Sequence, residues 1–460
     1  MLDSSRDLTA VTSTGQVPSR RNTRYAWVVV VMLTLAYMCS FIDRNVINLM
    51  VDPIKLDLHL SDTKMSLLQG AAFIFSYLIF IPIMGRRVDV GNRKNLVAFA
   101  VIAWCICSAL GGFATNLTTL FISRAGVGAA EAALAPAAFS LIADYFTRDR
   151  LPRAIGVFAI GPYLGGGLAL ILGGLIAGST SVLNHSFSFL SSFKSWQLTF
   201  VLVGVAGIPL GLALFALREP PRQMIFKAAS DERHFTLADT MAFIWARRSF
   251  YLRFFGAMTF TVVIFYSFPA WIPSTLIRVY GLNARSVGTT YGVIVLVMGT
   301  LGVLAGPQLE AVLRRRGRQS AGMDCIMTAA AALVPVCSLL LFVHSYEGTL
   351  VVAGLATFLY SLPQPIANSA MQIVTPNRMR GVVSALSVIM YSGVGLGVAP
   401  TLVAVVSDYV FDARIRVALG VVCTLSAAIA AWLAYGARLP FAKAAKAEED
   451  AALHSGNQSP

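Results

Sequence analysis

The chain has 460 residues, of which 57% are hydrophobic and only 13% are charged, and its formal net charge is +14. Soluble domains carry roughly 25% charged residues, so this chain has too few charges to cover a soluble surface. Composition therefore excludes a soluble enzyme and favours a protein whose outer surface faces lipid.

Apolar residues fall in long runs, each close to the roughly 20 residues that a helix needs to cross about 30 Å of hydrocarbon. The fold class predicted from these runs is an all-α membrane protein with twelve transmembrane helices. We number the runs as spans 1 to 12 in chain order, and they cover residues 25–49, 66–84, 96–114, 118–143, 154–177, 197–217, 250–272, 287–306, 320–343, 349–366, 381–406 and 415–436.

The longest polar stretch between spans, residues 218–248, divides them six and six. An even division of this kind is typical of an internal duplication. It predicts an N-terminal six-helix bundle over residues 25–217 and a C-terminal six-helix bundle over residues 249–437. Polar tails are predicted at residues 1–24 and 438–460.

The basic residues are distributed unevenly between the two sides of the predicted membrane. Most of the 36 Lys and Arg residues lie in the two tails and in the loops that follow even-numbered spans. The positive-inside rule then places both tails and the inter-bundle linker in the cytoplasm, at a bacterial inner membrane. The positive charge thus reports topology, with attraction to anionic lipids as a secondary effect, and we expect no nucleic-acid partner.

The sequence contains no recognisable catalytic or metal-binding motif. Its six cysteines all fall within predicted spans, and none has the spacing of zinc ligands. Neither a His-Glu-x-x-His helix, a Gly-x-Ser-x-Gly turn nor a phosphate-binding loop is present. We therefore expect no enzymatic activity, no cofactor and no metal.

A short motif recurs after the second span of each half, where a glycine is followed four residues later by an acid and then by a basic cluster. Such a recurrence favours a conformational latch, in which the acid and the cations hold one arrangement of the bundle and release it in another. The alternative is a basic loop that only sets topology. The motif residues are Gly85, Asp89, Arg93 and Lys94 in the first half and Gly306, Glu310 and Arg314 in the second.

Twelve spans, a six-plus-six repeat and Gly85-x-x-x-Asp89-x-x-x-Arg93-Lys94 resemble the major facilitator superfamily. One departure is Asn92, where the family motif usually has glycine. Within that superfamily, four segments in order resemble the spinster-like branch, whose animal members move sphingolipids and lysophospholipids. These segments are residues 41–55, 60–70, 124–136 and 217–222.

Four charged residues lie in the interior of predicted spans, away from the span ends, where each charge costs at least about 2.5–3.5 kcal/mol on insertion scales. Asp43 and Arg44 lie in span 1, and Arg124 and Glu131 lie in span 4. Asp43 and Arg124 are each about seven residues from the outer end of their span, roughly 10 Å deep. They can therefore pair, with Glu131 on the same helix face as Arg124 and roughly 10 Å deeper.

The resemblance implies that spans 1 and 4 line a central cavity. Proton coupling is the role predicted for Asp43, Glu131 and Arg124, because burial and a neighbouring guanidinium push the pKa of a carboxyl in opposite directions. Arg44 or Arg124 is also a candidate to bind an anionic headgroup. The alternative is a static ion pair that only fixes helix packing.

The second half contributes aromatic and polar candidates instead of charges. An aromatic wall opposite a charged wall would suit an amphipathic substrate, although aromatic residues in spans mostly face lipid or pack against neighbours. The substrate-binding candidates of this half are Tyr266, Phe268, Tyr360, Gln364 and Asn368.

Span 5 carries a glycine- and proline-rich segment that resembles the second half of the superfamily's antiporter motif. Val157 stands where the first half of that motif would have a glycine. The segment is consistent either with a hinge or with tight helix packing. Its residues are Gly161, Pro162, Gly165 and Gly166.

Together these features predict a proton-coupled secondary active transporter that works by alternating access. The expected substrate is amphipathic and anionic or zwitterionic, such as a lysolipid or sphingolipid. Two alternatives remain, a broad-range efflux transporter for drugs and organic ions and an uncoupled lipid facilitator. The expected partners are the small substrate, protons and membrane lipids, and the expected state is a monomer.

Overall fold

The computed structural model describes residues 23–147, 150–186, 193–221, 237–376 and 379–456. Within these residues it contains helices and no strands, and twelve of the helical segments are long and apolar enough to cross a membrane. The prediction of an all-α protein with twelve spans is confirmed. Much of the predicted N-terminal tail and of the linker lies outside the described residues.

The helices of the first half follow the predicted spans, with two short additions between spans 1 and 2. Their bounds are Thr23–Val46, Val51–Leu58, Asp62–Ser66, Ala72–Val90, Arg93–Gly111, Leu117–Glu131, Leu134–Tyr145, Leu151–Ser186 and Ser195–Leu214, with a π-helical turn at Leu67–Ala71 inside span 2.

The second half begins with a short helix inside the predicted linker. The bounds here are Leu237–Ala246, Arg248–Tyr280, Ala284–Arg315, Ala321–Phe342, Tyr346–Ser361, Pro363–Val374, Arg380–Gly397, Ala399–Val410 and Ile415–Gly456. The last helix continues through the described part of the predicted C-terminal tail.

Spans 4 and 10 are each broken near the middle of their length. The first helix of span 4 ends at Glu131, five residues before Pro136, and the first helix of span 10 ends at Ser361, four residues before Pro365. Proline lacks an N–H donor and its ring clashes with the carbonyl four residues earlier, which interrupts the helix. The break therefore recurs in both halves and places Glu131 at a helix end in the interior.

We call the side on which spans 1 and 2 are joined the distal side, and the side on which spans 2 and 3 are joined the proximal side. In the distal part of the molecule the halves meet along a seam of four glycines from spans 5 and 8. A Cβ at Gly174 would lie 3.0 Å from the Cα of Gly288, and one at Gly292 would lie 2.8 Å from the carbonyl oxygen of Gly167. Only glycine permits backbones to approach this closely.

Two adjacent glycines of span 5 provide a test of this seam. A Cβ at Gly167 would lie 2.5 Å from the Cβ of Leu296, whereas one at Gly166 would meet no atom closer than 3.9 Å. Overpacking costs about 1–3 kcal/mol, so we expect Gly167→Ala to loosen the distal packing and Gly166→Ala to leave it unchanged. The measurement is the distance between spin labels at Lys64 and Tyr409, together with the unfolding temperature. Equal behaviour of both variants would contradict the seam.

On the proximal side, Arg93 binds residues of its own half. Its guanidinium lies 2.5 Å from Asp144 and 2.7 Å from Glu219, and its side chain is buried. Lys94 donates through its Nζ to the carbonyl of Phe215 at 2.8 Å. These contacts join the start of span 3 to the ends of spans 4 and 6.

The second half has a corresponding cluster with the charges reversed. Asp324, at the start of span 9, pairs with Arg438 at the end of span 12 and lies 3.8 Å from Arg318. In each half, therefore, one buried charge at the start of the third span binds opposite charges from neighbouring helix ends.

The predicted latch residues differ in their packing. Gly306 contacts the carbonyl of Leu362, and Glu310 pairs with Arg314 on the same helix at 2.5 Å. Gly85, in contrast, has no atom within 4 Å of the position its Cβ would take. No close helix approach occurs at Gly85 in this conformation, and Asp89 lies exposed at the end of span 2. The latch stays a prediction.

Candidate functional site

A cavity of about 320 Å³ lies between the two halves, from the middle of the molecule toward the proximal side. The first half contributes Tyr37, Phe41 and Phe158, and the second half contributes Tyr266 and Tyr391. Most of its wall is apolar and aromatic. A cavity of this kind is typical of a small-molecule binding site.

Polar groups in the cavity wall come from the middle of span 10. Gln364 and Asn368 both line the cavity, and they lie four residues apart on one helix face. The Nε2 atom of Gln364 is buried and has no hydrogen-bond partner among the described residues. An unpaired amide of this kind can donate to a bound molecule.

A smaller chamber of about 40 Å³ lies beyond the main cavity. Phe41, Tyr163, Phe265 and Tyr266 line both spaces, so their rings separate the two. Tyr360 lines the chamber, where its hydroxyl donates to Thr357 at 3.2 Å.

The four charged residues predicted inside the spans lie together beside the cavity. The Nη2 atom of Arg44 lies 2.5 Å from Oε2 of Glu131, which also accepts from Ser40 at 2.7 Å. Arg44 is held between the rings of Phe41 and Phe73, at 4.6 and 4.1 Å from their centroids. The hydroxyl of Tyr266, from the other half, lies beside the same guanidinium. Arg44 is thus the cation of this cluster closest to the cavity.

The second pair of the cluster is more deeply buried. The Nη1 atom of Arg124 lies 3.8 Å from Oδ1 of Asp43, and that oxygen also accepts from Ser108. Arg124 is fully buried and donates to the carbonyl oxygens of Asp43 and Arg44, at 3.2 and 3.4 Å. The proximity of Asp43 and Arg124 expected from depth is observed, but Arg124 does not reach the cavity to meet a ligand.

Both carboxylates have one oxygen without a partner. Oδ2 of Asp43 and Oε1 of Glu131 are buried, and neither has a hydrogen-bond partner among the described residues. A buried oxygen of this kind is costly when ionised and becomes satisfied as a donor when protonated. The cluster therefore contains two positions at which a proton can be held.

Two of the binding residues predicted in the second half lie away from the main cavity. Phe268 is fully buried in the distal core, where its ring packs 6.3 Å from that of Tyr360, and it lines neither of the two spaces. Tyr360 lines only the chamber. Tyr266, Gln364 and Asn368 do line the cavity, and their role in substrate binding stays a prediction.

Span 5 lies against span 1 through two of its predicted hinge glycines. A Cβ at Gly161 would lie 3.2 Å from the carbonyl of Thr34, and Gly165 packs on the carbonyl of Met38. Pro162 and Gly166 line the cavity or the chamber, and the helix continues without a break. Gly161 and Gly165 thus serve close packing within the first half.

The distal side carries a set of contacts between the halves that the sequence did not predict. Arg278 of span 7 lies 2.6 Å from Asp52 and makes two hydrogen bonds, at 2.7 and 2.8 Å, with Asp62. Lys55 lies 2.6 Å from the same Asp62, whose side chain is fully buried. We call Asp52, Lys55, Asp62 and Arg278 the distal ion cluster.

Polar contacts continue from this cluster toward the middle of the molecule. Asp408 accepts from the backbone N–H and the hydroxyl of Thr63, at 3.0 and 2.8 Å. Gln69, in the π-helical turn of span 2, donates to the carbonyl of Ala270 at 3.1 Å. Each of these contacts between the halves joins residues that are 200 or more positions apart in the sequence. Together they close the distal side.

Comparisons with known proteins agree with this architecture. The model of the Major Facilitator Superfamily matches residues 33–400. An MFS-type efflux pump of Mycolicibacterium smegmatis is 27% identical over 408 residues, covering 87% of this chain and 89% of the pump. Protein spinster homolog 1 of Xenopus tropicalis is 26% identical over 410 residues, covering 84% of this chain and 74% of that protein.

Solved structures show the same fold. A bacterial homolog of the human lysosomal transporter spinster, in an inward-facing and unoccupied conformation, superposes with a TM-score of 0.73 at 23% identity. The match covers 92% of this chain and 94% of that one. The D-xylose-proton symporter superposes with a TM-score of 0.65 at 14% identity, covering 88% of this chain and 97% of the symporter.

Proposed function

We propose that this chain, a spinster-like transporter that belongs to the major facilitator superfamily, works as a proton-coupled secondary active transporter by alternating access. It is an integral membrane protein and not an enzyme. The observation that carries the proposal is the pair of buried carboxylates, Asp43 and Glu131, each with an oxygen that has no partner among the described residues. They lie beside a cavity between the two halves.

The distribution of contacts supports an alternating-access cycle. The halves pack together on the distal side, and the cavity extends toward the proximal side. With the basic loops in the cytoplasm, as the positive-inside rule implies, this arrangement corresponds to an inward-facing state. Rocking of the halves about the cavity would then expose it on the other side.

Coupling would operate through competition for the two arginines. When Glu131 is ionised it binds Arg44, and when it takes up a proton it no longer holds that guanidinium as an ion pair. Arg44 could then turn to an anionic group of a substrate in the cavity. Because Tyr266 of the second half lies beside Arg44, the state of this pair also affects a contact between the halves. Asp43 and Arg124 would form the deeper proton-binding pair.

The cavity supports an amphipathic substrate with an anionic or zwitterionic head, such as a lysolipid or sphingolipid. Aromatic rings provide an apolar wall, while Arg44, Gln364 and Asn368 provide polar recognition nearby. The named relatives of this chain include a spinster homolog, which favours a lipid-like substrate.

A flux assay on the unmodified protein tests the proposal. Purified protein in liposomes with a pH-sensitive dye inside would be supplied with lysolipids, sphingoid bases or hexuronates, with and without a pH gradient. We expect an amphipathic substrate to move together with a measurable proton flux. Equal transport rates with and without the gradient would instead identify an uncoupled facilitator.

Gln364 provides a test of the substrate site itself. Replacing Gln364 by Leu keeps the size of the side chain but removes a donor, and one hydrogen bond is worth about 0.5–1.5 kcal/mol. We expect KM to rise about two- to tenfold with little change in the maximal rate. Ser369→Ala is the control, because Ser369 is exposed on the same helix but does not line the cavity. An unchanged KM in Gln364→Leu would exclude contact with substrate.

A second candidate function is efflux of drugs or other aromatic compounds. The aromatic wall of the cavity and the similarity to an MFS-type efflux pump favour it. Transport of cationic dyes by the liposomes, in preference to lysolipids, would support this candidate over the first.

A further inference from the structure

The proximal ends of spans 7 and 12 form a groove on the outer surface of the second half, away from the cavity. Arg253 of span 7 is exposed, and its Nη1 donates to the carbonyl of Gly436 in span 12 at 2.8 Å. A Cβ at Gly436 would lie 3.3–3.6 Å from the Cδ, Nε and Cζ atoms of Arg253. The guanidinium therefore lies across span 12 at a position where the helix has no side chain.

Glycine inside a helix costs roughly 0.5–1 kcal/mol relative to alanine, so its presence here has a packing consequence. It allows Arg253 to rest on the surface of the neighbouring helix instead of extending away from it. Nε and Nη2 of Arg253 have no acceptor among the described residues, and no acidic side chain in that part of the chain lies within ion-pair distance. The cation is thus positioned but not neutralised.

A second guanidinium lies at the opposite edge of the exposed face of span 12. At 100° per residue, Tyr435 lies between Gly436 and Arg438 on span 12. The ring of Tyr435 is 64% exposed, and the guanidinium of Arg438 lies 5.6 Å from its centroid. Arg438 uses its Nε to pair with Asp324, and its two terminal nitrogens have no acceptor among the described residues. Two arginines thus flank one exposed tyrosine.

The surface next to this pair is apolar and aromatic. Trp432, one turn deeper in the membrane, is 73% exposed, and Leu439 is 75% exposed. Leu252 of span 7 is 55% exposed beside Arg253. Aromatic residues at a helix end are typical of the headgroup region. Leu252 and Leu439 lie on the proximal side of Arg253 and Tyr435, and Trp432 lies deeper, toward the acyl chains.

We infer that this groove binds the headgroup of an anionic phospholipid from the proximal leaflet. Guanidinium groups form paired, charge-assisted hydrogen bonds with phosphate oxygens. Basic sites between transmembrane helices on this side of a membrane bind anionic lipids in general. Here Arg253 would bind the phosphate beside Tyr435, Arg438 would add positive charge at the other edge of the exposed face of span 12, and Trp432 would contact the acyl chains.

Lipid retention during native mass spectrometry tests this inference. The full-length protein would be released from nanodiscs that contain equal amounts of phosphatidylcholine and phosphatidylglycerol, and the retained lipids counted. We expect the unmodified protein to retain phosphatidylglycerol preferentially and Arg253→Gln to reduce that preference about fivefold. Arg86→Gln removes an exposed arginine from the first half, also on the proximal side, and should behave like the unmodified protein.

A second variant tests whether the position of the Arg253 guanidinium matters, and not only its charge. Gly436→Val retains Arg253 but displaces its guanidinium from span 12, so the preference for phosphatidylglycerol should also fall. Gel filtration and the unfolding temperature in neutral detergent verify that each variant is folded. Unchanged preference in Arg253→Gln, or equal retention of the two lipids by the unmodified protein, would overturn the inference.

Discussion

Replacing Asp43 by Asn should abolish proton-driven accumulation of substrate while downhill transport continues. Asn has the same shape but cannot take up or release a proton, and each pH unit supplies about 1.4 kcal/mol per proton. A protein that couples one proton to one substrate therefore gains roughly tenfold accumulation per pH unit. We expect this gain to disappear in Asp43→Asn, as measured by uptake into liposomes with an imposed pH gradient.

Two further variants give this experiment its controls. Ser108→Ala removes a hydroxyl that donates to Asp43 but retains the carboxylate, so accumulation should persist with a changed pH dependence. Asp57→Asn changes a carboxylate that pairs with Lys194 on the distal surface of the first half, and coupling should be unaffected. Full accumulation by Asp43→Asn would remove Asp43 from the coupling mechanism.

Glu131 should respond differently from Asp43, because its partner Arg44 is held between aromatic rings. Neutralising one member of a buried ion pair typically costs 3–5 kcal/mol, since the other charge remains buried without compensation. Arg44 retains some exposure, with 12% of its side chain accessible. We therefore expect Glu131→Gln to free Arg44 for an anionic ligand, which would show as tighter substrate binding combined with lost accumulation.

The architecture was predictable from sequence because the bilayer imposes a simple rule. Every spanning segment must be apolar and about 20 residues long, so the twelve spans could be identified from composition alone. The charged residues inside spans could be identified for the same reason, because each one is costly. Their depth followed from the helical rise, and the proximity of Asp43 and Arg124 in the structure agrees with that estimate.

Other features depend on which helix faces which, and local sequence does not specify this. The glycines of span 5 could be read as a hinge or as packing, and only the fold shows Gly161 and Gly165 against span 1 and Gly167 against span 8. Phe268 is an aromatic residue of the type expected in a cavity wall, but its side chain is buried in the distal core. Arg93 could be identified from its motif, but its ion-pair partners could not. These partners, Asp144 and Glu219, lie at or next to the ends of other spans.

The distal ion cluster is the clearest case of this limit. Asp52, Lys55 and Asp62 lie near span ends, where charged residues are ordinary, and Arg278 is more than 200 residues away. Neither the sequence around Asp52–Asp62 nor the sequence around Arg278 indicates that the two segments are in contact. Once they are brought together, however, the cluster joins the two halves on the side that is closed in this conformation. In the proposed alternating-access cycle, its strength would affect the balance between the two states.

Arg278→Gln should therefore shift the protein toward the distally open state. Among the described residues, the substitution leaves the buried carboxylate of Asp62 with only Lys55 as an ion-pair partner, and it removes the ion pair with Asp52. Loss of one partner of a buried ion pair costs several kcal/mol. Here Lys55, which also pairs with Asp62, offsets a part of that cost. A shift of about 1.4 kcal/mol already changes the ratio of the two states tenfold. Label distances between Lys64 and Tyr409, across the distal contact, should lengthen.

Lys194→Gln is the matched control for this prediction. Lys194 also forms a distal ion pair, but its partner Asp57 belongs to the same half, so its loss should leave the distance between the halves unchanged. If Arg278→Gln keeps the closed distance of the unmodified protein, the glycine seam of spans 5 and 8 is sufficient to close the distal side. The ion cluster would then stabilise the fold without setting the conformational balance.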